Sequence, residues 1–306
     1  MNLIPNNQIN LYGLGKNLEQ FISLYRRKNL PKKILLSGLK GIGKSTLAYH
    51  LINFVLSQNE EFPYSTDKYQ IDENNKDFKL IQNGSNPNFK LIDILPEKKN
   101  IDINQIRELI NFTNKSSLNY KPRFVLFDNI EFLNINSINA LLKTLEEPNE
   151  NIFFILISNQ KKVLSTLKSR CLEYKISLTN AESFLVLENI LKDKSFNHIN
   201  NDLINYYFTP GNIYLLIEFS RKHNINLNNI NLKDLLITLI KNHYYKNEPY
   251  VKFIIYDLIE FFLRSFSFND NSYLYSYFLN KIDNTKKFNL DEETFFIEFK
   301  SLALNG

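Results

Sequence analysis

Ile34-Leu35-Leu36-Ser37-Gly38-Leu39-Lys40-Gly41-Ile42-Gly43-Lys44-Ser45 is the stretch whose reading decides the fold. Its apolar opening reads as a buried strand, and Gly38 to Ser45 is a full G-x-x-x-x-G-K-[ST] pattern. A helix follows, with Leu47, Leu51 and Val55 at four-residue spacing and Ala48 and Ile52 widening the stripe. Strand, glycine-rich turn and helix N-terminus together make a phosphate-binding site. Gly38, Gly41 and Gly43 let backbone N–H groups close on the phosphates, and the helix start favours negative charge. Lys44 is placed to reach the β- and γ-phosphates, Ser45 to bind Mg²⁺ and Thr46 to touch the α-phosphate. A glycine-rich turn that matches by chance is the alternative, and the flanking strand and helix argue against it.

Outward from this stretch, the pattern alternates strand and helix. A helix is expected over 14–29, with Leu14, Leu18, Phe21, Ile22 and Tyr25 on one face. Residues 58–89 are polar and aperiodic. Strands are expected at Phe89–Leu95, Arg123–Asp128, Ile152–Ile157 and Cys171–Ile176, and helices at Ile101–Phe112, from an Asn136 cap to Glu147, and at Val163–Leu167. Such alternation predicts an α/β fold with a mainly parallel sheet over 1–177. From Leu178 onward only helical patterns remain, broken at Thr209-Pro210-Gly211. Two helical domains, 178–226 and 227–306, are expected there.

Length and composition set the class. At 306 residues with 43% hydrophobic and 23% charged side chains, the chain fits two or three globular domains. Lys plus Arg exceeds Asp plus Glu, 37 against 32, which permits contact with nucleic acid without requiring it. A single cysteine, Cys171, excludes an intrachain disulfide and a cysteine-cluster zinc site. No apolar run reaches the roughly 18 residues of a membrane span, and no signal peptide is legible, so a cytoplasmic protein is expected.

Asp128 closes its strand where a P-loop protein carries its second nucleotide motif, an aspartate that holds Mg²⁺ through water opposite Ser45. The next residues are Asn129-Ile130-Glu131. An amide has no proton-accepting carboxylate, so Asn129 cannot act as a base. Binding of ATP with Mg²⁺ is thereby better supported than its hydrolysis.

Downstream, Asn139-Ala140-Leu141-Leu142-Lys143-Thr144-Leu145-Glu146-Glu147-Pro148 leads through a strand to Ser158-Asn159 and then to Ser169-Arg170-Cys171. This order resembles the AAA+ clamp-loader ATPases, which open sliding clamps and place them on primed DNA. The loop Gly41–Tyr49 and the helix start Ile101–Arg107 are most similar to the delta-prime members of that family. The absence of a carboxylate at 129 and of a four-cysteine zinc module points the same way. The resemblance implies an AAA+ P-loop domain, a small helical lid and a helical collar. It implies gamma/tau and delta subunits, the sliding clamp and primed DNA as partners; composition leads to the expectation of no membrane partner and no zinc. Arg170 would be an arginine finger given to a neighbour's ATP site, although an arginine pairing with a nearby acid looks the same in sequence. Ser158 and Asn159 fall where the γ-phosphate sensor sits in the family, and a polar strand end reads identically. Asn212 stands where the family's nucleotide-binding members carry a second sensor arginine. Cys171 reads as a small buried residue.

Other classes fit less well. The gamma/tau motor would carry a carboxylate directly after Asp128 and an arginine at 212. A P-loop small-molecule kinase needs an arginine-rich lid that 58–100 does not show. A GTPase needs an aspartate where Asn114-Lys115-Ser116-Ser117 has serine. Lys115 and Lys121 are candidate DNA contacts or simply a solvated basic surface. The Phe- and Tyr-rich segment Tyr250–Phe268 reads as core or as collar.

Overall fold

A computed structural model of the chain describes residues 3–95, 98, 100–114, 120–146, 151–159, 165–192, 199–204, 208–266, 272–288 and 290–304. Two compact units emerge: Met1–Asn189 with Thr209–Gly211, and Ile190–Phe208 with Asn212–Gly306.

The first unit is built on β1 (Lys33–Ser37), β2 (Phe89–Ile92), β3 (Arg123–Phe127), β4 (Ile152–Ser158) and β5 (Leu172–Lys175). They pair in parallel in the order β2-β3-β4-β1-β5, so the expected α/β parallel sheet is present. β3 and β4 are buried at every position, which is why each is a continuous apolar run rather than an alternating one. At the sheet edge β5 leaves Leu172 exposed. Helices of this part of the chain are α1 (Gly15–Arg26), α2 (Lys44–Leu56), α3 (Lys76–Gln82), α4 (Ile103–Asn114), α5 (Ile135–Glu146), α6 (Ser165–Lys168) and α7 (Asn180–Leu191). Val125, Phe127, Phe154 and Leu156 from the sheet pack with Ile106 and Leu109 of α4 and Leu141 and Leu145 of α5.

Local chemistry sets the helix ends. At the start of α4, Asp102 Oδ1 accepts from the backbone N–H of Gln105 (3.3 Å), and Gln105 Oε1 accepts from Asp102 N–H (3.2 Å). That reciprocal pair is a capping box. At the other end the buried Arg123 guanidinium donates to the carbonyls of Phe112 (2.7 Å) and Thr113 (3.2 Å), holding α4 to β3. Three expectations from sequence need correcting. Helix α5 is capped by Asn134, whose Oδ1 accepts from Ser137 N–H at 2.8 Å, and not by Asn136. Within the aperiodic 58–89 lies α3, too short to show a period but capped by Asn75, which accepts from Phe78 N–H at 2.7 Å. Strand β2 stops at Ile92, because Asp93 turns the chain by accepting from Ile94 N–H at 2.7 Å.

Helix α2 is buried almost all round, so its polar residues must be satisfied internally. Burial pushes the His50 imidazole down to about 4, keeping it neutral. Its Nε2–H donates to the Gln8 carbonyl (3.2 Å), which leaves Nδ1 to accept from the Tyr64 hydroxyl (2.9 Å).

The second unit is helical: α8 (Asn201–Ile204), most of α9 (Pro210–Lys222), α10 (Leu232–Lys241), α11 (Tyr244–Asn247), α12 (Pro249–Phe266), α13 (Ser272–Phe288) and α14 (Glu292–Phe299). Its aromatics form the core. Phe278 meets Phe299 edge-on at 5.0 Å, and Tyr256 stacks on Phe295 at 5.7 Å. No helix among the described residues is long and apolar enough to cross a membrane.

Candidate functional site

The carboxyl ends of four parallel strands meet along one edge of the first unit. Register pairs Ser37 of β1 with Ser158 of β4, Phe127 of β3 with Leu156 of β4, and Ile92 of β2 with Phe127. The residues just beyond those ends are therefore neighbours, which is where open α/β sheets bind ligands.

The glycine-rich loop leaves β1 and enters α2 at Gly43, whose φ of 98° is the left-handed conformation that a side chain disfavours. The first bond within α2 runs from Leu47 N–H to the Gly43 carbonyl at 2.9 Å. The N–H groups of Lys44, Ser45 and Thr46 thus have no acceptor inside the helix and make a ready anion site. Lys44 is buried, and its ammonium donates to the carbonyls of Gly38 (2.8 Å) and Leu39 (2.7 Å). Burial lowers its pKa to about 8, with Asp128 and Glu131 pulling the other way, so it stays charged at neutral pH. Ser45 Oγ donates to Asp128 Oδ2 at 2.6 Å, which joins the loop to the strand β3 end. Burial raises the Asp128 pKa, and the Ser45 bond opposes that rise. Gly38, Gly41, Gly43, Lys44, Ser45 and Asp128 are thus brought together. The set offers an ammonium and helix amides for phosphate, and a hydroxyl–carboxylate pair of hard oxygens for a small divalent cation.

Beside Asp128 runs a side-chain relay that the sequence did not suggest. Asn129 Nδ2 donates to Asp93 Oδ1 (2.9 Å), and Asn159 Nδ2 donates to Asn129 Oδ1 (2.8 Å). Asn159 N–H lies 3.4 Å from Glu131 Oε2 as donor, and Gln105 Nε2 donates to the Asp93 carbonyl at 2.8 Å. Asn129 sits in the left-handed region at φ 60°, which asparagine tolerates better than most residues. In the sequence Asp93 is hidden inside the apolar run Phe89–Leu95; a carboxylate at the end of the strand next to β3 is the signal that marks it. Ser158 is buried at the end of β4, beside Asn159.

Thr209-Pro210-Gly211, a helix break in the sequence and the run leading to Asn212, bonds the loop directly. Thr209 Oγ1 donates to the Lys40 carbonyl (2.7 Å), and Gly211 N–H donates to the Gly41 carbonyl (2.9 Å). Asn212 belongs to the second unit, where its amide donates to Asp257 at 2.8 Å.

Arg170 has its hydrogen-bond partners elsewhere. Its Nη2 donates to Glu146 Oε1 at 2.6 Å and its Nη1 to the Thr166 carbonyl at 3.1 Å. Cys171 packs against the sheet core, and burial pushes its thiol up to about 11, with Lys33 opposing, so no thiolate forms at neutral pH. Lys121 is bound to Asp77 (2.8 Å) and Glu60 (3.0 Å). Lys115, with Ser116 and Ser117, and the Glu147-Pro148 pair lie outside the described residues.

Comparison with known proteins follows this geometry. Residues 14–180 match the family model described as DNA polymerase III, delta subunit. The chain is 32% identical to the DNA polymerase III subunit delta' of Pseudomonas aeruginosa, over 49% of its own length and 44% of that protein. It is 31% identical to the subunit gamma of Buchnera aphidicola subsp. Schizaphis graminum, over 65% of its length and 54% of that protein. With the subunit delta' of Buchnera aphidicola subsp. Acyrthosiphon pisum it shares 26% identity over 84% of the chain and 79% of the relative. The first two matches span about half the length of those relatives. A family match over residues 14–180, more than half of the chain, with delta' subunits recurring among the relatives, places the chain in the DNA polymerase III delta-subunit family, with the delta-prime clamp-loader proteins.

Proposed function

We propose that the chain works as a delta-prime subunit of a cytoplasmic DNA polymerase III clamp loader, helping to place the sliding clamp on primed DNA. Its partners are the gamma/tau and delta subunits and the clamp, with primed DNA reached through the assembly. The division into a P-loop domain over 1–177, a lid over 178–226 and a collar over 227–306 belongs to the same proposal. Lys44 and the first-turn amides of α2, Thr46 included, hold phosphate oxygens; Ser45 and Asp128 hold Mg²⁺; Ser158 and Asn159 lie at the γ-phosphate end. When bound, ATP with Mg²⁺ supplies the phosphoanhydride and the charge that orders the loop.

The observation that carries the reading is Asn129. The position that needs a water-activating carboxylate holds an amide, and Asp93 and Asn159 bind both ends of it. The subunit therefore binds nucleotide and hydrolyses it weakly, and it contributes to turnover by giving Arg170 to a neighbouring site. Fingers of this kind are worth about 10³–10⁵ in rate. The test is ATP turnover by the reconstituted assembly with clamp and primed DNA, using wild-type or Arg170→Ala subunit, alongside the isolated chain. The reading expects a nearly inactive isolated chain and a large loss in the variant assembly. Brisk hydrolysis by the chain alone, abolished by Lys44→Ala, would make it a motor subunit or an unrelated P-loop enzyme instead.

A further inference from the structure

Three of the five N–H groups of Arg170 are committed sideways. Nε and Nη2 both donate to the same oxygen of Glu146, Oε1, at 3.1 and 2.6 Å. Nη1 donates to the Thr166 carbonyl at 3.1 Å and lies 3.5 Å from Ser169 Oγ. Ser169 Oγ itself donates to that carbonyl at 3.1 Å, so both Nη1 contacts fall on one flank of the guanidinium. Because the group is planar and its donors are fixed in direction, these bonds leave the terminal edge, one N–H on Nη1 and one on Nη2, pointing along the side-chain axis. A two-pronged edge of this kind matches a pair of phosphate oxygens.

The lateral partners are anchored. Glu146 closes α5, and Lys33 on β1 donates to the carbonyl of the preceding Leu145 at 3.0 Å. Leu145 is fully buried in the sheet core, and so is Leu167, which follows Thr166. The pair itself lies at the surface: the Arg170 side chain is 33% exposed and that of Glu146 52%.

We propose that Glu146 is a positioning residue for Arg170, locking the guanidinium so that its terminal edge faces a phosphate on a neighbouring subunit; this rests on the reading of Arg170 as a donated finger. A long, flexible cation that is ordered before docking need not be ordered in the transition state. Exposed ion pairs contribute little to folding, so the effect belongs in the rate and not in stability.

ATP turnover of the reconstituted assembly tests this with Glu146→Ala, Glu146→Gln, Arg170→Ala and the double variant. Glu146→Ala is expected to lower kcat about fivefold, the worth of a well-formed exposed pair, with KM for ATP unchanged. Glu146→Gln keeps an acceptor oxygen and should restore most of that loss. In the Arg170→Ala background, Glu146→Ala should cost nothing further. A wild-type rate for Glu146→Ala beside a slow Arg170→Ala overturns the role of Glu146 and leaves the finger standing. An equal loss from Glu146→Ala with and without Arg170 makes the contact merely structural and also overturns it. A wild-type rate for Arg170→Ala removes the finger and the positioning role together.

Discussion

Replacing Gly211 by alanine should destabilise the first unit, against the usual sign of that substitution in a helix. Gly211 lies in the first turn of α9, where alanine is ordinarily the better helix former by up to ~1 kcal/mol. Here a methyl group would stand 2.8 Å from Gly41 Cα and 2.9 Å from the Gly41 carbonyl oxygen, where ordinary contact begins at 3.4 Å. Both are backbone atoms, so no rotamer change relieves the overlap. The loop or the helix start must move by about 0.6 Å. That movement strains the Gly211 N–H bond to Gly41 (2.9 Å) and the Thr209 bond to Lys40 (2.7 Å). Overpacking of this kind costs about 1–3 kcal/mol, which exceeds the propensity gain. A net loss of about 1–2 kcal/mol corresponds to a fall in Tm of roughly 2–8 °C for a unit of this size. Thermal unfolding of the intact chain reads the shift, and native-state hydrogen exchange at residue 211 should show lost protection. An unchanged or raised Tm with that amide still protected would refute the close approach of Gly211 to the loop.

Three further outcomes are expected. Lys44 loses protons more readily folded than unfolded, its pKa falling from 10.5 to about 8. The unfolded chain then binds more protons between those values, so stability should rise with pH from about 8 to about 10.5. Lys44→Met should remove that component, and a wild-type-minus-variant difference in urea midpoint that stays flat between about pH 7.5 and 9.5 contradicts it. Asn129→Glu restores a carboxylate beside Asp128 but places it in the left-handed region and against Asp93. Turnover by the isolated chain should stay near wild type while stability drops by about 1–3 kcal/mol, and a brisk ATPase would show that neither the left-handed backbone nor Asp93 keeps a carboxylate there from activating water. Lys121→Met leaves the buried Asp77 with Asn86 as partner, 2.6 Å away, and should cost about 2 kcal/mol in urea unfolding. If it instead weakens DNA binding by the assembly with no loss of stability, Lys121 is a DNA contact after all.

Much of the site was legible because its chemistry is local. Gly38 to Ser45 must follow a strand and open a helix whatever else the chain does, and Asp128 had to end the next buried run. Continuous burial of β3 and β4 announced a parallel sheet covered on both faces. Short or aperiodic pieces were less readable. Helix α3 spans two turns, and Asn134 rather than Asn136 caps α5, since either asparagine satisfies the same local rule.

What the amino-acid sequence determined by itself was the phosphate loop, the amide at 129 and the Ser-Arg-Cys tripeptide, each a matter of neighbouring residues along one backbone. Only the tertiary structure decided that Asp93, Asn129 and Asn159 form one relay, that Gly211 abuts Gly41, and that Glu146 holds Arg170. Those partners come from separate elements, and the neighbouring bond from Thr209 to Lys40 spans 169 residues of chain. Parallel strand register sets Asp93, Asn129 and Asn159 side by side, helix and loop packing does so for the others, and no spacing rule along the chain encodes a distance fixed by packing.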